Sequence, residues 1–266
     1  MSAFKTIEVS NPRFERDNLR FITVRANTLA GRADICVFVP PGTELLEDVP
    51  VVILLHGVYG SAWSWSHCSG VHLQAKQMIE DGLLPQMIIA MPSDGLYADG
   101  SAYLPQHTAD YEAWIVKDVP QALKEVLPQV SDHSAFFISG LSMGGFGALR
   151  LGVKYKQLFR AVAAHSSITD LEQMKLFTSD DLRQYLPEDP SDASVLLTIL
   201  RYQDDLPPIR FDCGRGDLLI AYNRSLNMAL ETHQIAHIYE EFEGGHEWTY
   251  WENHVTRSLN FFAQYL

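Results

Sequence analysis

Phe136-Phe137-Ile138-Ser139-Gly140-Leu141-Ser142-Met143-Gly144-Gly145-Phe146-Gly147-Ala148-Leu149-Arg150 is the stretch on which the reading of this chain turns. An apolar run of strand type leads into Gly-x-Ser-x-Gly, and a helix-forming run follows at once. Strand, tight turn and helix in that order are the setting of a nucleophile elbow. Such a turn has no room for large side chains beside the serine, which accounts for Gly140 and Gly144. The Ser142 hydroxyl is expected to project above the sheet edge on a strained backbone. Free N–H groups and the positive end of the helix dipole would then stand where an oxyanion forms. A bare Gly-x-Ser-x-Gly also fits a plain glycine-rich turn. The strand before it, the helix after it and the second glycine in Gly144-Gly145 favour the chemical reading.

Outward from that block, strands and helices alternate. Val51-Val52-Ile53-Leu54-Leu55 is a continuous apolar run, as in a strand buried on both faces. Met87-Ile88-Ile89-Ala90-Met91 is a second, ended by Pro92. Residues 161–167 and 208–214 read as further strands, and 237–242 alternates as the last one. Helices are predicted over 71–81, 111–126, 222–233 and 248–262, with Pro120 either kinking the second or starting a new segment. Strands over 19–25 and 33–39, joined at Thr28-Leu29-Ala30-Gly31, predict an N-terminal antiparallel hairpin. Residues 169–207 are acidic, lack a clean strand signal, and read as a helical and loop excursion near the active site. The pattern predicts an α/β fold: a mostly parallel central sheet with helices on both faces, in a single domain over 1–266.

The formal net charge of −13 argues against nucleic acid and against an anionic membrane surface as partners. Cys36, Cys68 and Cys213 match no zinc or redox spacing, and so sparse an odd set favours a reducing compartment. The first residues turn polar and charged at once, and no run is long enough to span a bilayer. A cytoplasmic protein with no membrane partner is the expectation, and a homo-oligomer is left open.

A serine hydroxyl is a weak nucleophile at neutral pH and needs a base, which in turn needs an orienting acid. In a parallel sheet these groups come from loops at the carboxyl ends of strands, in the order serine, acid, histidine. His246 is the best base, since it follows a predicted strand and Gly244-Gly245 let its loop bend toward Ser142. Asp217 is the best acid, just beyond the strand that ends at Gly214. Asp212, inside that strand, and Asp170, after the strand beyond the nucleophile, are its rivals. The oxyanion needs two donors. The N–H of Met143 is one, and that of Val58 is the other candidate, with Gly57 and Tyr59 as alternatives. His56 reads as a group that orients this loop. Tyr59, Trp63, Trp65, Tyr97, Tyr103, Trp248 and Trp251 crowd the predicted carboxyl-end loops, where they either line a pocket or pack the loops.

With these residues in hand, the chain resembles the esterase D-like family of α/β-hydrolases. That family includes S-formylglutathione hydrolases, tributyrin esterases, feruloyl and acetyl-xylan esterases and mycolyltransferases. The resemblance runs from about Val51 onward. It rests on Leu55-His56-Gly57, the block from Gly140 to Ala148, Asp212-Cys213-Gly214 leading to Asp217, and Gly244-Gly245-His246-Glu247-Trp248. It implies an α/β-hydrolase fold and a serine hydrolase of ester bonds, with nucleophile, acid and base at Ser142, Asp217 and His246 and no cofactor. Leu141 stands where S-formylglutathione hydrolases usually carry histidine, which counts against a glutathione thioester. A carboxylesterase acting on small-molecule acyl esters is the reading that remains. The alternatives are a thioesterase or acyltransferase using the same triad, or a non-catalytic binding module. Nucleophile, base and elbow glycines are all present, which counts against the last.

Overall fold

Val51–Leu55 is buried along its whole length. Strand side chains alternate between two faces, so unbroken burial means that both faces are covered. Val51, Ile53 and Leu55 join one apolar cluster, while Val52 and Leu54 join another. The structure, a computed structural model, describes every residue except Met1, Ala30, Tyr97, Leu186 and Glu188. Ala30 of the hairpin turn and the loop aromatic Tyr97 therefore lie outside the described residues.

Among the described residues, nine strands form one sheet. Its order is β1 (Ile7–Val9), β2 (Leu19–Arg25), β3 (Arg32–Phe38), β5 (Ile88–Pro92), β4 (Val51–Leu55), β6 (Phe136–Gly140), β7 (Phe159–His165), β8 (Ile209–Gly214) and β9 (Ile238–Phe242). The hairpin of β2 and β3 forms as expected. The short edge strand β1 was not legible in the sequence. β1, β2 and β3 run antiparallel to their neighbours, and the six strands from β5 to β9 run parallel to one another. This is the mixed, mostly parallel sheet of an α/β-hydrolase.

One face packs against α4 (Val119–Val126), α5 (Met143–Lys154), α6 (Val195–Arg201) and α7 (Ile220–Thr232). The other packs against α1 (Ser64–Cys68), α2 (Val71–Glu80) and α8 (Trp248–Ala263), where Phe137 stacks on Phe262 with centroids 5.0 Å apart. Before α4 come one turn of helix, α3 (Tyr111–Ala113), and a π-helical stretch over Trp114–Asp118. Proline has no N–H to donate, and its ring crowds the carbonyl four residues back, so the backbone widens ahead of Pro120.

The excursion over 169–207 resolves into short 3₁₀ turns at Leu171–Leu176, Leu182–Gln184 and Pro190–Ala193, then α6. Each turn opens on an aspartate, Asp170, Asp181 or Asp189, whose carboxylate accepts the N–H two residues on. Such local bonds compete with longer helices, which is why an acidic stretch without apolar periodicity folds into turns. The strand registers pair Leu55 with Gly140, His165 with Asp212 and Gly214 with Phe242. The residues that follow these strands therefore leave the sheet along one common edge. No helix among the described residues is long and apolar enough to cross a membrane.

Candidate active site

Ser142 sits between β6 and α5 with φ 54° and ψ −119°. A residue bearing a side chain holds that conformation only under constraint. Here its N–H donates to the carbonyl oxygen of His165 (3.0 Å), and its own carbonyl accepts from the N–H groups of Phe146 (3.1 Å) and Ile168 (3.2 Å). Gly144 lies hard against β4, and a Cβ there would run into the carbonyl oxygens of Leu55 and His56. Backbone atoms have no rotamer by which to yield. Gly144→Ala is expected to destabilise the fold by on the order of 3 kcal/mol, seen as a lower urea midpoint. An unchanged midpoint would mean that the elbow does not pack on β4.

His246, in the loop between β9 and α8, places Nε2 3.0 Å from Ser142 Oγ. Its Nδ1 lies 3.1 and 3.0 Å from the two carboxylate oxygens of Asp217. An ionised carboxylate only accepts, so Nδ1 carries the proton and Nε2 is left to accept from the serine hydroxyl. Asp217 Oδ1 also accepts from the N–H of Leu219 at 2.8 Å. Burial pushes the Asp217 carboxyl up, but the His246 imidazole and the Leu219 N–H outweigh it and hold the group below the ordinary range. The two loops are tied directly, since Gly216 N–H donates to Gly244 O at 2.9 Å.

The loop after β4 closes the other side. A Cβ on Gly57 would stand 3.3 Å from Ser142 Cβ, so the loop passes at contact distance from the elbow. His56 fixes that loop: its Nδ1 is 2.7 Å from Gly57 O, and its Nε2 accepts from Asp94 N–H at 3.0 Å. The Tyr103 hydroxyl donates to His56 O at 2.9 Å. Tyr59 N–H is engaged with Asp99 O at 2.8 Å, which removes it as an alternative donor. Among the described residues, the N–H groups of Val58 and Met143 donate to no acceptor. The two residues lie together, because a Cβ on Gly100 would strike Met143 Sδ and touch Val58 Cγ1.

Asp170 is occupied as the cap of its 3₁₀ turn. Asp212 points toward α8, where it meets His165 Nδ1 (2.9 Å), Arg210 Nη1 (2.6 Å) and the Tyr250 hydroxyl (2.8 Å). The far nitrogen of His165 is 2.9 Å from Ser258 Oγ. Ser258, His165 and Asp212 thus repeat a serine–histidine–aspartate chain, but all three are fully buried. No substrate reaches them, and their effect is on stability. Burial raises the Asp212 carboxyl, and His165, Arg210 and Tyr250 bring it down to about 2 from 3.8. A carboxylate depressed on folding stabilises the protein above its unfolded pKa and loses that effect as pH falls through the folded one. Asp212→Asn is therefore expected to lose on the order of 2 kcal/mol at neutral pH, relative to the natural chain. The difference should narrow between about pH 4 and 2 in urea titrations. A difference that is constant across that window would contradict the assignment.

The loop aromatics divide. Trp65 and Tyr103 are buried and serve the framework, with Trp65 Nε1 donating to Leu55 O at 2.8 Å. Trp63 and Tyr59 are exposed. Trp251 meets the His246 ring edge-on at 5.1 Å and Trp248 at 5.2 Å. Among the described residues, the aromatic ring nearest His246, that of Phe177, was absent from the sequence reading. Its centroid is 4.9 Å from that of the imidazole. It comes from the 169–207 excursion, whose sequence carries no periodicity to place one side chain over another element.

The acetyl esterase of Caldicellulosiruptor saccharolyticus is 27% identical over 237 residues, which cover 82% of this chain and 85% of that protein. A ferulic acid esterase superposes with a TM-score of 0.79 at 23% identity, over 99% of this chain and all of its own. An S-formylglutathione hydrolase from Staphylococcus aureus gives 0.79 at 16% identity, over 96% and 99%. The model of the family described as "Putative esterase" matches residues 26–262, from just after β2 into the last turn of α8. A match running through β3 to β9 and all the helices that cover them makes this chain a member of that esterase family.

Proposed function

We propose that this protein is a serine carboxylesterase that hydrolyses small acyl esters, with Ser142 as nucleophile, His246 as base and Asp217 as its orienting acid. The observation that carries the reading is the hydrogen-bonded chain from Ser142 Oγ through His246 to Asp217, at 3.0 Å on either side of the imidazole. Ser142 Oγ attacks the ester carbonyl as its proton passes to His246 Nε2. The carbonyl oxygen becomes an oxyanion facing the free N–H groups of Met143 and Val58. The C–O bond to the alcohol then breaks, and His246 delivers its proton to the departing oxygen. Water loses a proton to the same nitrogen and attacks the acyl-serine. The acid leaves, and the proton returns to Ser142. Asp217 stays ionised throughout; its depressed pKa keeps it an acceptor, which fixes the tautomer and steadies the imidazolium.

Purified protein should turn over p-nitrophenyl acetate, and a fluorophosphonate should abolish that activity while labelling Ser142 alone. Labelling at any other serine, or no turnover at all, would remove the proposal.

A further inference from the structure

In the reading just given, the departing alcohol takes its proton from His246 Nε2. Whatever that oxygen carries must therefore lie against the imidazole. One side of this space is already bounded by Trp251, which is 6% exposed and stands at 89° to the His246 ring. The other ring there, that of Phe177, lies 31° from the imidazole plane and is only half-buried, so part of it faces outward. Phe177 follows directly on the 3₁₀ turn Leu171–Leu176, and its backbone is fastened across the site. The Tyr59 hydroxyl donates to the Phe177 carbonyl oxygen. Thr178 Oγ1 donates to Asp99 Oδ2 at 2.6 Å, and Asp99 N–H donates to Asp180 Oδ2 at 3.2 Å. Tyr59 itself is 66% exposed, with a left-handed backbone at φ 59°. Its hydroxyl would be satisfied by water if it were free, so the bond contributes little to folding. What the bond does is fix where Phe177 stands, relative to the loop that carries Val58.

We propose that Phe177, latched by Tyr59, determines which alcohols this enzyme releases, by excluding leaving groups that are bulky next to the ester oxygen. The proposal rests on the serine-esterase reading above. It makes Phe177 a specificity residue for the alcohol and not for the acyl chain.

The test uses the full chain and two ester series. One fixes the acetyl group and varies the alcohol through ethyl, isopropyl and cyclohexyl acetate. The other fixes p-nitrophenol and varies the acyl chain through acetate, butyrate and hexanoate. In Phe177→Ala, kcat/KM for cyclohexyl relative to ethyl acetate should rise roughly tenfold, while the acyl ranking moves by less than about twofold. Tyr59→Phe keeps the ring and removes the latch, and should shift the alcohol ranking in the same direction by less. If Phe177→Ala does not fold, Tyr59→Phe decides. An unchanged alcohol ranking, or equal shifts in both series, would overturn the proposal while leaving the hydrolase intact. Loss of the hydrolase reading would show instead as a natural chain inactive on every ester.

Discussion

Ser142→Ala is expected to lower kcat for p-nitrophenyl acetate by on the order of 10⁴-fold or more, about 5.5 kcal/mol of transition-state stabilisation. The hydroxyl is the only group at the elbow that can form the acyl intermediate. The N–H groups of Met143 and Val58 remain in the variant, so a small residual rate from oxyanion stabilisation is compatible with the mechanism. KM should move little, because the missing oxygen contributes to the transition state far more than to ground-state binding. Ser142 is 2% exposed and α5 begins one residue later, so the variant keeps its backbone bonds and should unfold at nearly the same urea concentration. Steady-state assays and a urea titration on one preparation check both halves. A variant that retains a tenth of the natural rate would show that the ester is cleaved by some other route.

Asp217→Asn is the second large effect. The amide keeps nearly the same shape, but it can present an N–H where the carboxylate presented only acceptors. His246 can then carry its proton on Nε2, facing Ser142, where it can no longer accept. A fall in kcat on the order of 10⁴-fold is expected, with the fold retained. Five residues earlier, Asp212 supplies a contrast within one strand and loop. It has a histidine and a serine in the same order, yet it is sealed under α8, with Arg210 and Tyr250 as further partners. Asp212→Asn should lower stability in the pH-dependent way described above. What activity remains should track the folded fraction. If Asp217→Asn costs only stability and Asp212→Asn costs only rate, the two roles are reversed.

That pair shows where sequence reasoning is strong and where it stops. Asp217 could be preferred to Asp212 because a position inside a strand directs its side chain into a helix layer, and Tyr250 and Ser258 of α8 are that layer. The Ser258–His165–Asp212 chain itself could not be foreseen, because it joins three elements by distances that no local pattern encodes. The loop holding Val58 was placed by the glycines around it. That Tyr59 N–H is spent on the Asp99 carbonyl follows only from the tertiary contact between two separate loops.

Local chemistry decided the elbow, the buried parallel strands and the choice of Ser142, Asp217 and His246, the residues proposed as nucleophile, acid and base. Glycines at a tight turn, unbroken apolar runs and the polarity of a parallel sheet each allow few conformations, and each is written within a dozen residues. The tertiary structure alone decided what surrounds those groups. Phe177 comes to lie over His246 through a stretch of capped turns whose own sequence favours no long element. The Tyr59 hydroxyl that binds its carbonyl oxygen joins residues 118 apart in the chain. Packing between segments so distant depends on the whole fold being in place, which is why the three residues of the proposed triad could be picked out along the chain and the shape of the space beside them could not.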